Sequence, residues 1–214
     1  MIKKKLITLF ISVFVLFSFC GCLSEFLEDE PERYPVEQED EAEDDDTGLP
    51  DWDKDYVDMF MDLGPITDFS LKTIEGTEIS ADIFKNSEVT MLNIWGTFCG
   101  PCIQEMPGLG EIAAERDESE FQVIGVICDV ESESSPTFND AIDIINDTKA
   151  FYTHVIPSGD FMYKYMSVVD AVPTDIFVDS DGNILYVYRG GLSKSDFDDI
   201  IDAVLLMKSN RSNE

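Results

Sequence analysis

The chain is poor in the residues that bind zinc and nucleic acid. It has one histidine, His154, five cysteines and a single Cys-x-x-Cys pair in 214 residues. A zinc site of the common kind needs a second such pair or a cysteine–histidine cluster, so we expect no metal and no external cofactor. Only 14 lysines and arginines stand against 45 aspartates and glutamates, which gives a net charge of −31. This charge argues against nucleic acid and against an anionic lipid surface as partners.

The chain also lacks an apolar run of the roughly 20 residues that a membrane-spanning helix needs. Its longest run, Leu6–Phe19, has 14 residues and follows Lys3–Lys5, which predicts an export signal over residues 1–22. The end of this signal, Phe19-Cys20-Gly21-Cys22, resembles the lipobox of bacterial lipoproteins, although that motif prefers an aliphatic residue where Phe19 stands. The resemblance makes Cys22 the lipidated residue; an uncleaved N-terminal anchor is the alternative. Both interpretations place the remainder of the chain outside the cytoplasmic membrane, anchored to its outer face.

Composition divides the rest of the chain into three parts. Residues 23–51 are predicted to be a disordered spacer, because eight of the ten residues from Glu37 to Asp46 are acidic and like charges repel. Binding of calcium or of a basic partner by this acidic run is the alternative. Residues 52–64 carry apolar side chains at helical spacing, which predicts a short helix packed on the domain, or alternatively a partner-docking helix. Residues 65–214 suffice for one domain with a core of its own.

The cysteine pair lies at a predicted junction between a strand and a helix. Val89–Ile94 is an apolar run rich in strand formers, and apolar residues recur at three- and four-residue steps after Cys102. Cysteines three positions apart on a first helical turn are close enough for a disulfide. The free N–H groups and dipole of the helix start favour a thiolate at Cys99, so we predict a moderately lowered pKa for it and a less exposed Cys102. Cys99 would then be the nucleophile and Cys102 the resolving thiol; a purely structural disulfide is the alternative.

The run Leu92–Cys102 with Glu105-Met106-Pro107 resembles the active-site segment of thioredoxin-fold proteins, and most closely the extracytoplasmic ResA/TlpA type of thiol–disulfide oxidoreductase. The resemblance extends over about residues 65–206. It implies an α/β thioredoxin fold, with a mixed central sheet flanked by helices and an N-terminal β-hairpin extension.

The same resemblance implies roles for residues around the cysteine pair. Val172-Pro173-Thr174 resembles the loop that holds a cis proline against the disulfide. Glu105, with Asn93 in the preceding strand, resembles the acid/base that moves protons to and from Cys102, although an ordinary solvated carboxylate is the alternative. Trp95 and Phe98 would shield the pair, and together with Val172 and Pro173 they would bind the substrate chain.

The implied function is the reduction of disulfides in exported proteins, such as apocytochrome c or a surface reductase, which would place the chain in cytochrome c biogenesis or antioxidant defence. The redox-active disulfide Cys99–Cys102 would stand in place of a cofactor, and a membrane thiol electron carrier would be the electron donor. We expect a monomer. One alternative is a peroxiredoxin-like peroxidase, but the sequence lacks the Pro/Thr-rich cysteine motif of that class. The other is a non-enzymatic lipoprotein binding module with a structural disulfide.

Two further residues of interest receive structural interpretations. Cys128 follows the apolar run Phe121–Ile127 and is predicted to be a buried, inert thiol, with a third redox cysteine as the alternative. His154 is predicted to be structural because no motif points to it as a catalytic base. Alternation and turn signals further predict a helix over 136–146, strands over 175–178 and 184–188, and a final helix opened by Ser193.

Overall fold

A computed structural model describes residues 54–211 of the chain. The predicted signal and lipidated Cys22, the acidic spacer over 23–51 and the first two residues of the predicted leading helix lie outside the described residues. Within residues 54–211 no helix combines the length and apolar character needed to cross a bilayer.

The described residues contain seven strands, which form one mixed sheet in the spatial order β2-β1-β5-β4-β3-β6-β7. β3 lies in the interior of this sheet, parallel to β4 and antiparallel to β6, and the predicted hairpin is present as the antiparallel pair of β1 and β2. The strands are β1 (Ser70–Thr73), β2 (Glu78–Ser80), β3 (Val89–Trp95), β4 (Phe121–Ile127), β5 (Thr153–Ile156), β6 (Thr174–Asp179) and β7 (Ile184–Arg189).

Helices cover both faces of the sheet, as the thioredoxin fold requires. The α-helices of the described part are α1 (Lys54–Met61), α2 (Gly100–Glu115), α3 (Phe138–Thr148), α4 (Gly159–Tyr165) and α5 (Lys194–Arg211), and a 3₁₀ helix spans Ala81–Asn86. The predicted capping of the last helix is present: the Ser193 N–H donates to the Asp196 carboxylate, and the Asp196 N–H donates to the Ser193 hydroxyl.

The alternation of β3 decides which helices face the site. All seven of its residues are buried, and successive side chains point to opposite faces. Leu92 and Ile94 pack with α1, α4 and the 3₁₀ helix. Val89 and Met91 pack with α2 and α5, and Trp95 packs with α2 and α3. Asn93 belongs by alternation to this second face, so its polar side chain points towards α2.

The first helix packs on the domain, as predicted, through buried aromatic residues. Tyr56 and Phe60 belong to the core cluster on the other face of the sheet, the face of Leu92 and Ile94. The Tyr56 hydroxyl lies 3.3 Å from Thr174 Oγ1. The Arg189 guanidinium lies 4.3 Å from the centre of the Tyr56 ring and pairs with the Asp170 carboxylate at 2.7 Å. The helix therefore contacts the start of β6 at Thr174 and, through Arg189, is connected to Asp170 within the loop that precedes β6.

Candidate active site

Cys99 and Cys102 form a disulfide at the junction of β3 and α2, as predicted, with their Cα atoms 5.3 Å apart. Cys99 is the N-cap of α2, and its Sγ accepts a hydrogen bond from the Cys102 N–H at 3.2 Å. Both side chains are buried, Cys102 completely and Cys99 to 5% exposure. A backbone N–H aimed at Sγ at a helix start favours negative charge on that sulfur. The geometry thus agrees with a nucleophilic Cys99 and a more enclosed Cys102.

The loop before β6 places a backbone carbonyl against the disulfide. The Val172–Pro173 bond is cis, as the resemblance implies, and the Val172 carbonyl oxygen lies 3.5 Å from Cys99 Sγ. The loop is held in place because the Gly190 N–H donates to the Pro173 carbonyl at 3.0 Å. An extended chain that reaches Cys99 therefore meets Val172 and Pro173 at the same point.

Phe98 and Trp95 occupy opposite environments. Phe98 is 70% exposed next to Cys99, so its ring is available to a bound chain. Trp95 is fully buried, so its side chain presents no surface to a bound chain in this structure. It packs in one buried cluster with Cys99 and Cys102, which agrees with its predicted shielding of the pair, because β3 is covered by helices on both faces.

His154 has the structural role predicted for it, because its ring is hydrogen-bonded to the buried Trp95 side chain. The Trp95 Nε1–H donates to His154 Nδ1 at 3.2 Å. An indole nitrogen can only donate, so the second ring nitrogen, Nε2, carries the proton and donates to the Ala150 carbonyl at 2.9 Å. Burial lowers the pKa of His154 to about 4, and the ring is neutral. A side chain at Gly125 would collide with this ring, so the neighbouring strand needs glycine there.

Glu105 is buried, and the solvated alternative for it is wrong. The side chain is 4% exposed. Its Oε1 accepts from the Asn93 Nδ2–H at 3.0 Å, and its Oε2 accepts from the Leu192 N–H at 3.3 Å. Burial first, and then the nearby Asp175 carboxylate, raise the pKa of Glu105 far above its ordinary range.

Asp175 is a second buried carboxylate, which the sequence reasoning treated only as a strand residue. It is fully buried, and its Oδ1 accepts from Asn93 Nδ2 at 2.7 Å. It lies directly opposite Asn93 in the β3–β6 ladder. Burial also raises the pKa of this carboxyl, and the Asn93 hydrogen bond opposes the rise only in part. The signal in the sequence was a single charged residue at the head of the apolar run Ile176–Val178.

Asp129 is another residue that the sequence reasoning missed. Its carboxylate accepts from the Thr97 N–H at 3.1 and 3.2 Å and from the Thr97 hydroxyl at 2.5 Å. Its own carbonyl accepts from the Thr137 hydroxyl at 2.6 Å. Asp129 thereby fixes the segment between β3 and Cys99 to the start of α3.

Cys128 stands apart from this chemistry. It is partly buried, and burial together with the adjacent Asp129 raises the pKa of its thiol to about 11. The thiol is therefore protonated at neutral pH, which agrees with the inert role predicted for it. In the part of the chain that the structure describes, no three histidine, cysteine, aspartate or glutamate side chains are arranged to hold a metal ion.

Comparisons with known proteins agree with this geometry. The chain is 26% identical over 145 residues to the thiol-disulfide oxidoreductase ResA of Bacillus thuringiensis subsp. konkukian. The aligned region covers 67% of this chain and 79% of the relative. The chain is also 26% identical over 141 residues to ResA of Halalkalibacterium halodurans, which covers 64% and 73% of the two chains.

Solved structures show the same fold. The crystal structure of StoA from Bacillus subtilis matches with a TM-score of 0.50 and 25% identity over 63% of this chain and 95% of that chain. A thiol:disulfide interchange protein DsbE from Chlorobium tepidum matches with a TM-score of 0.53 and 23% identity over 66% and 96%. The AhpC/TSA family matches residues 64–187, more than half of the chain. The chain is thus a thiol–disulfide oxidoreductase with the thioredoxin fold, and it belongs to the AhpC/TSA family.

Proposed function

We propose that the protein reduces disulfide bonds of exported proteins on the outer face of the cell membrane, with Cys99 as the attacking thiolate. The observation that carries this proposal is the meeting of three features at one sulfur. Cys99 Sγ lies at the start of α2, 3.5 Å from the Val172 carbonyl, beside the exposed ring of Phe98. A nucleophile, a backbone edge and an apolar contact are what an extended protein substrate needs at its disulfide.

The reaction proceeds in two exchanges. A substrate chain pairs with the backbone at Val172 and packs against Phe98, and the Cys99 thiolate attacks one sulfur of its disulfide. The attacked sulfur becomes bonded to Cys99 in a mixed disulfide. The other substrate sulfur leaves as a thiolate with the electron pair. Cys102 then gives up its proton towards Glu105, one helical turn away, and attacks Cys99 Sγ. The second substrate thiolate leaves, and the enzyme retains the Cys99–Cys102 disulfide.

Renewal of the dithiol requires an external electron donor. We propose a thiol-bearing membrane electron carrier, and apocytochrome c or a surface reductase as substrates. The names of the ResA relatives support the reaction class, and the lipobox-like Cys22 supports the location. We further propose that Cys22 carries the lipid anchor and that the protein works as a monomer.

A peroxidase of the same fold is the alternative function that the match to the AhpC/TSA family suggests. Such an enzyme reduces peroxide with a reactive lone thiolate. Of the cysteines that the structure describes, only Cys128 lies outside the pair, and the pKa of about 11 keeps it protonated. This observation favours protein disulfides over peroxide as the substrate.

Insulin reduction by the purified chain tests the reaction. We expect turnover with a thiol donor in the wild type, complete loss in Cys99→Ser, and a persistent mixed disulfide in Cys102→Ser, which also captures substrates. Cys128→Ser is the matched control and keeps full activity. Activity that survives in Cys99→Ser would contradict the nucleophile, and rapid peroxide consumption without insulin reduction would favour the peroxidase.

Detergent phase partition in a bacterial host tests the location. We expect wild-type protein in the detergent phase and Cys22→Ser in the signal-retaining or soluble form, with Cys20→Ser as the matched control. Equal partition of the two variants would refute lipidation at Cys22.

A further inference from the structure

The two buried carboxyls of the site share one hydrogen-bond donor. Asn93 Nδ2 lies 3.0 Å from Glu105 Oε1 and 2.7 Å from Asp175 Oδ1. An amide nitrogen has two hydrogens, so each carboxyl receives one of them. The amide nitrogen is fully used in bridging a carboxyl from α2 to a carboxyl from β6.

The remaining atoms around the bridge do not compensate two negative charges. In the part of the chain that the structure describes, neither Glu105 nor Asp175 is paired with a lysine or arginine. Asp175 Oδ2 and Asn93 Oδ1 are buried without a hydrogen-bond partner among residues 54–211. Among residues 54–211, the backbone N–H of Leu192 is the one further donor to Glu105. Two ionised carboxylates would repel each other in this environment, where low polarizability strengthens Coulomb interactions.

The other titratable groups near the pair are tyrosines and further carboxylates. Burial first, and then the negative charge of Glu105 and Asp175, raises the pKa of two phenols, those of Tyr152, just before β5, and Tyr188, on β7. Asp196, at the start of α5, acts on Tyr188 in the same direction. None of these groups supplies positive charge near neutral pH, so a proton is the available means of neutralising one carboxylate.

We infer that Asp175 is a positioning residue that makes Glu105 one half of a proton-sharing pair, so that Cys102 delivers its proton to a pair of carboxyls instead of to Glu105 alone. This inference rests on the proposed function. At neutral pH the pair holds one proton and one negative charge. Asp175 thereby sets the pH range in which Glu105 can act as a base.

The second exchange moves one proton and one electron pair. Cys102 S–H transfers its proton to the singly protonated pair, which becomes neutral. The Cys102 sulfur attacks Cys99 Sγ, the Cys99–Cys102 bond forms, and the bond between Cys99 and the substrate sulfur breaks. The substrate sulfur leaves as a thiolate with the electron pair, and the pair later returns the proton to solvent or to that thiolate. The protein is oxidised by two electrons and the substrate disulfide is reduced.

Single-turnover kinetics on the full chain separate the two exchanges. Reduced protein is mixed with 5,5′-dithiobis(2-nitrobenzoate), and the release of coloured thiolate is followed by absorbance from pH 5 to pH 9. After subtraction of the release from a Cys99→Ser, Cys102→Ser double variant, which keeps the other three cysteines, the first phase reports attack by Cys99 and the second reports attack by Cys102. We expect Asp175→Asn to move the midpoint of the second phase to lower pH by one unit or more, because a neutral amide no longer repels the Glu105 carboxylate. Glu105→Gln is expected to slow the second phase at least tenfold at pH 7.

The outcomes distinguish this inference from the function on which it rests. A wild type without a second phase overturns the proposed reaction itself. If the wild type shows both phases and Glu105→Gln slows the second phase, but Asp175→Asn leaves the pH midpoint of that phase unchanged, only the pairing of the two carboxyls is overturned. Circular dichroism of Asp175→Asn, whose side chain has the shape of the original, checks that the fold is retained.

A measurement on the wild type guards against a variant that does not fold. The carboxyl ¹³C resonances of Glu105 and Asp175 are followed from pH 4 to pH 10 in the oxidised chain. We expect both resonances to show the same two steps, since each nucleus senses both protonations of a coupled pair. Two independent single-step curves would overturn the inference.

Discussion

Acid should weaken the fold through one imidazole, that of His154, the only histidine in the chain. Its Nδ1 accepts the Trp95 N–H and its Nε2–H is used by the Ala150 carbonyl. Protonation would place a hydrogen on Nδ1, where the indole N–H already points. Burial lowers the pKa from 6.5 to about 4, so the folded state takes up this proton less readily than the unfolded state.

The direction and the size of the effect of His154 on the free energy of unfolding follow from its two pKa values, folded and unfolded. Because the folded pKa is depressed, the contribution is fully present above pH 6.5 and is lost as the pH falls through about 4. At 1.36 kcal/mol per pH unit, the loss between pH 7 and pH 4 is about 3 kcal/mol. The buried pair of Glu105 and Asp175 acts in the opposite direction, because raised carboxyl pKa values contribute stability that is lost as the pH rises. The histidine contribution must therefore be isolated by difference.

The assay is urea denaturation of the wild type and of His154→Gln at several pH values between 4 and 7. We expect the free energy of unfolding of the wild type to exceed that of the variant most at pH 7, and this excess to shrink by about 3 kcal/mol towards pH 4. A single imidazole also gives one unambiguous NMR titration. Parallel stability curves, or a ring that titrates near 6.5, would refute the reasoning.

Three further substitutions test the surroundings of the site. Gly125→Ala should lower the free energy of unfolding by about 1–3 kcal/mol in urea denaturation, because the added methyl group meets the His154 ring; an unchanged midpoint would contradict this. Asp129→Ala should cost about 1–3 kcal/mol, since it leaves the Thr97 N–H without its acceptor, and slow insulin reduction; Asp129→Asn is the comparison that keeps an acceptor. Phe98→Ala should raise the KM for insulin severalfold and leave unfolding within about 0.5 kcal/mol, because the ring is exposed; an unchanged KM would exclude substrate contact.

The sheet could be predicted because its signals are local. β3 and β4 occupy the predicted apolar runs, and the predicted strands over 175–178 and 184–188 differ from β6 and β7 by one residue at some ends. The turn between them has Gly182 at a φ of +80°, the position at which only glycine is unstrained. Such patterns depend on period and turn chemistry, and neighbouring residues suffice to reveal them.

Helix boundaries depended on contacts from farther away. The helix predicted over 136–146 runs from Phe138 to Thr148. Its start is delayed because the Ser135 hydroxyl accepts from the Glu131 and Ser132 N–H groups, and the Thr137 hydroxyl donates to Asp129. These bonds fold the preceding residues into a loop.

The cysteine pair and its proline could be predicted because their motifs are specific, whereas the polar interior could not. Asp175 and Asn93 are 82 positions apart and meet only through the β3–β6 register. Trp95 is predicted to shield the pair and to bind the substrate chain, but its enclosure by the helices over β3 depends on residues far away in the sequence. A charged residue beside an apolar run is as typical of an exposed strand end as of a buried carboxyl. The burial of Asp175 could therefore be recognised only from the three-dimensional structure.

The attachment of α1 has a mechanical consequence. This helix lies outside the sheet and is the first element of the described chain, and its Tyr56 touches Thr174, next to Pro173. Tension applied to the chain ahead of Lys54 would load α1 before any strand, and a helix can be peeled away contact by contact while paired strands resist together. The first contacts to yield would be those that brace the proline loop. Tension on the chain would thus disturb the substrate-docking loop at Pro173 before it unfolded the sheet.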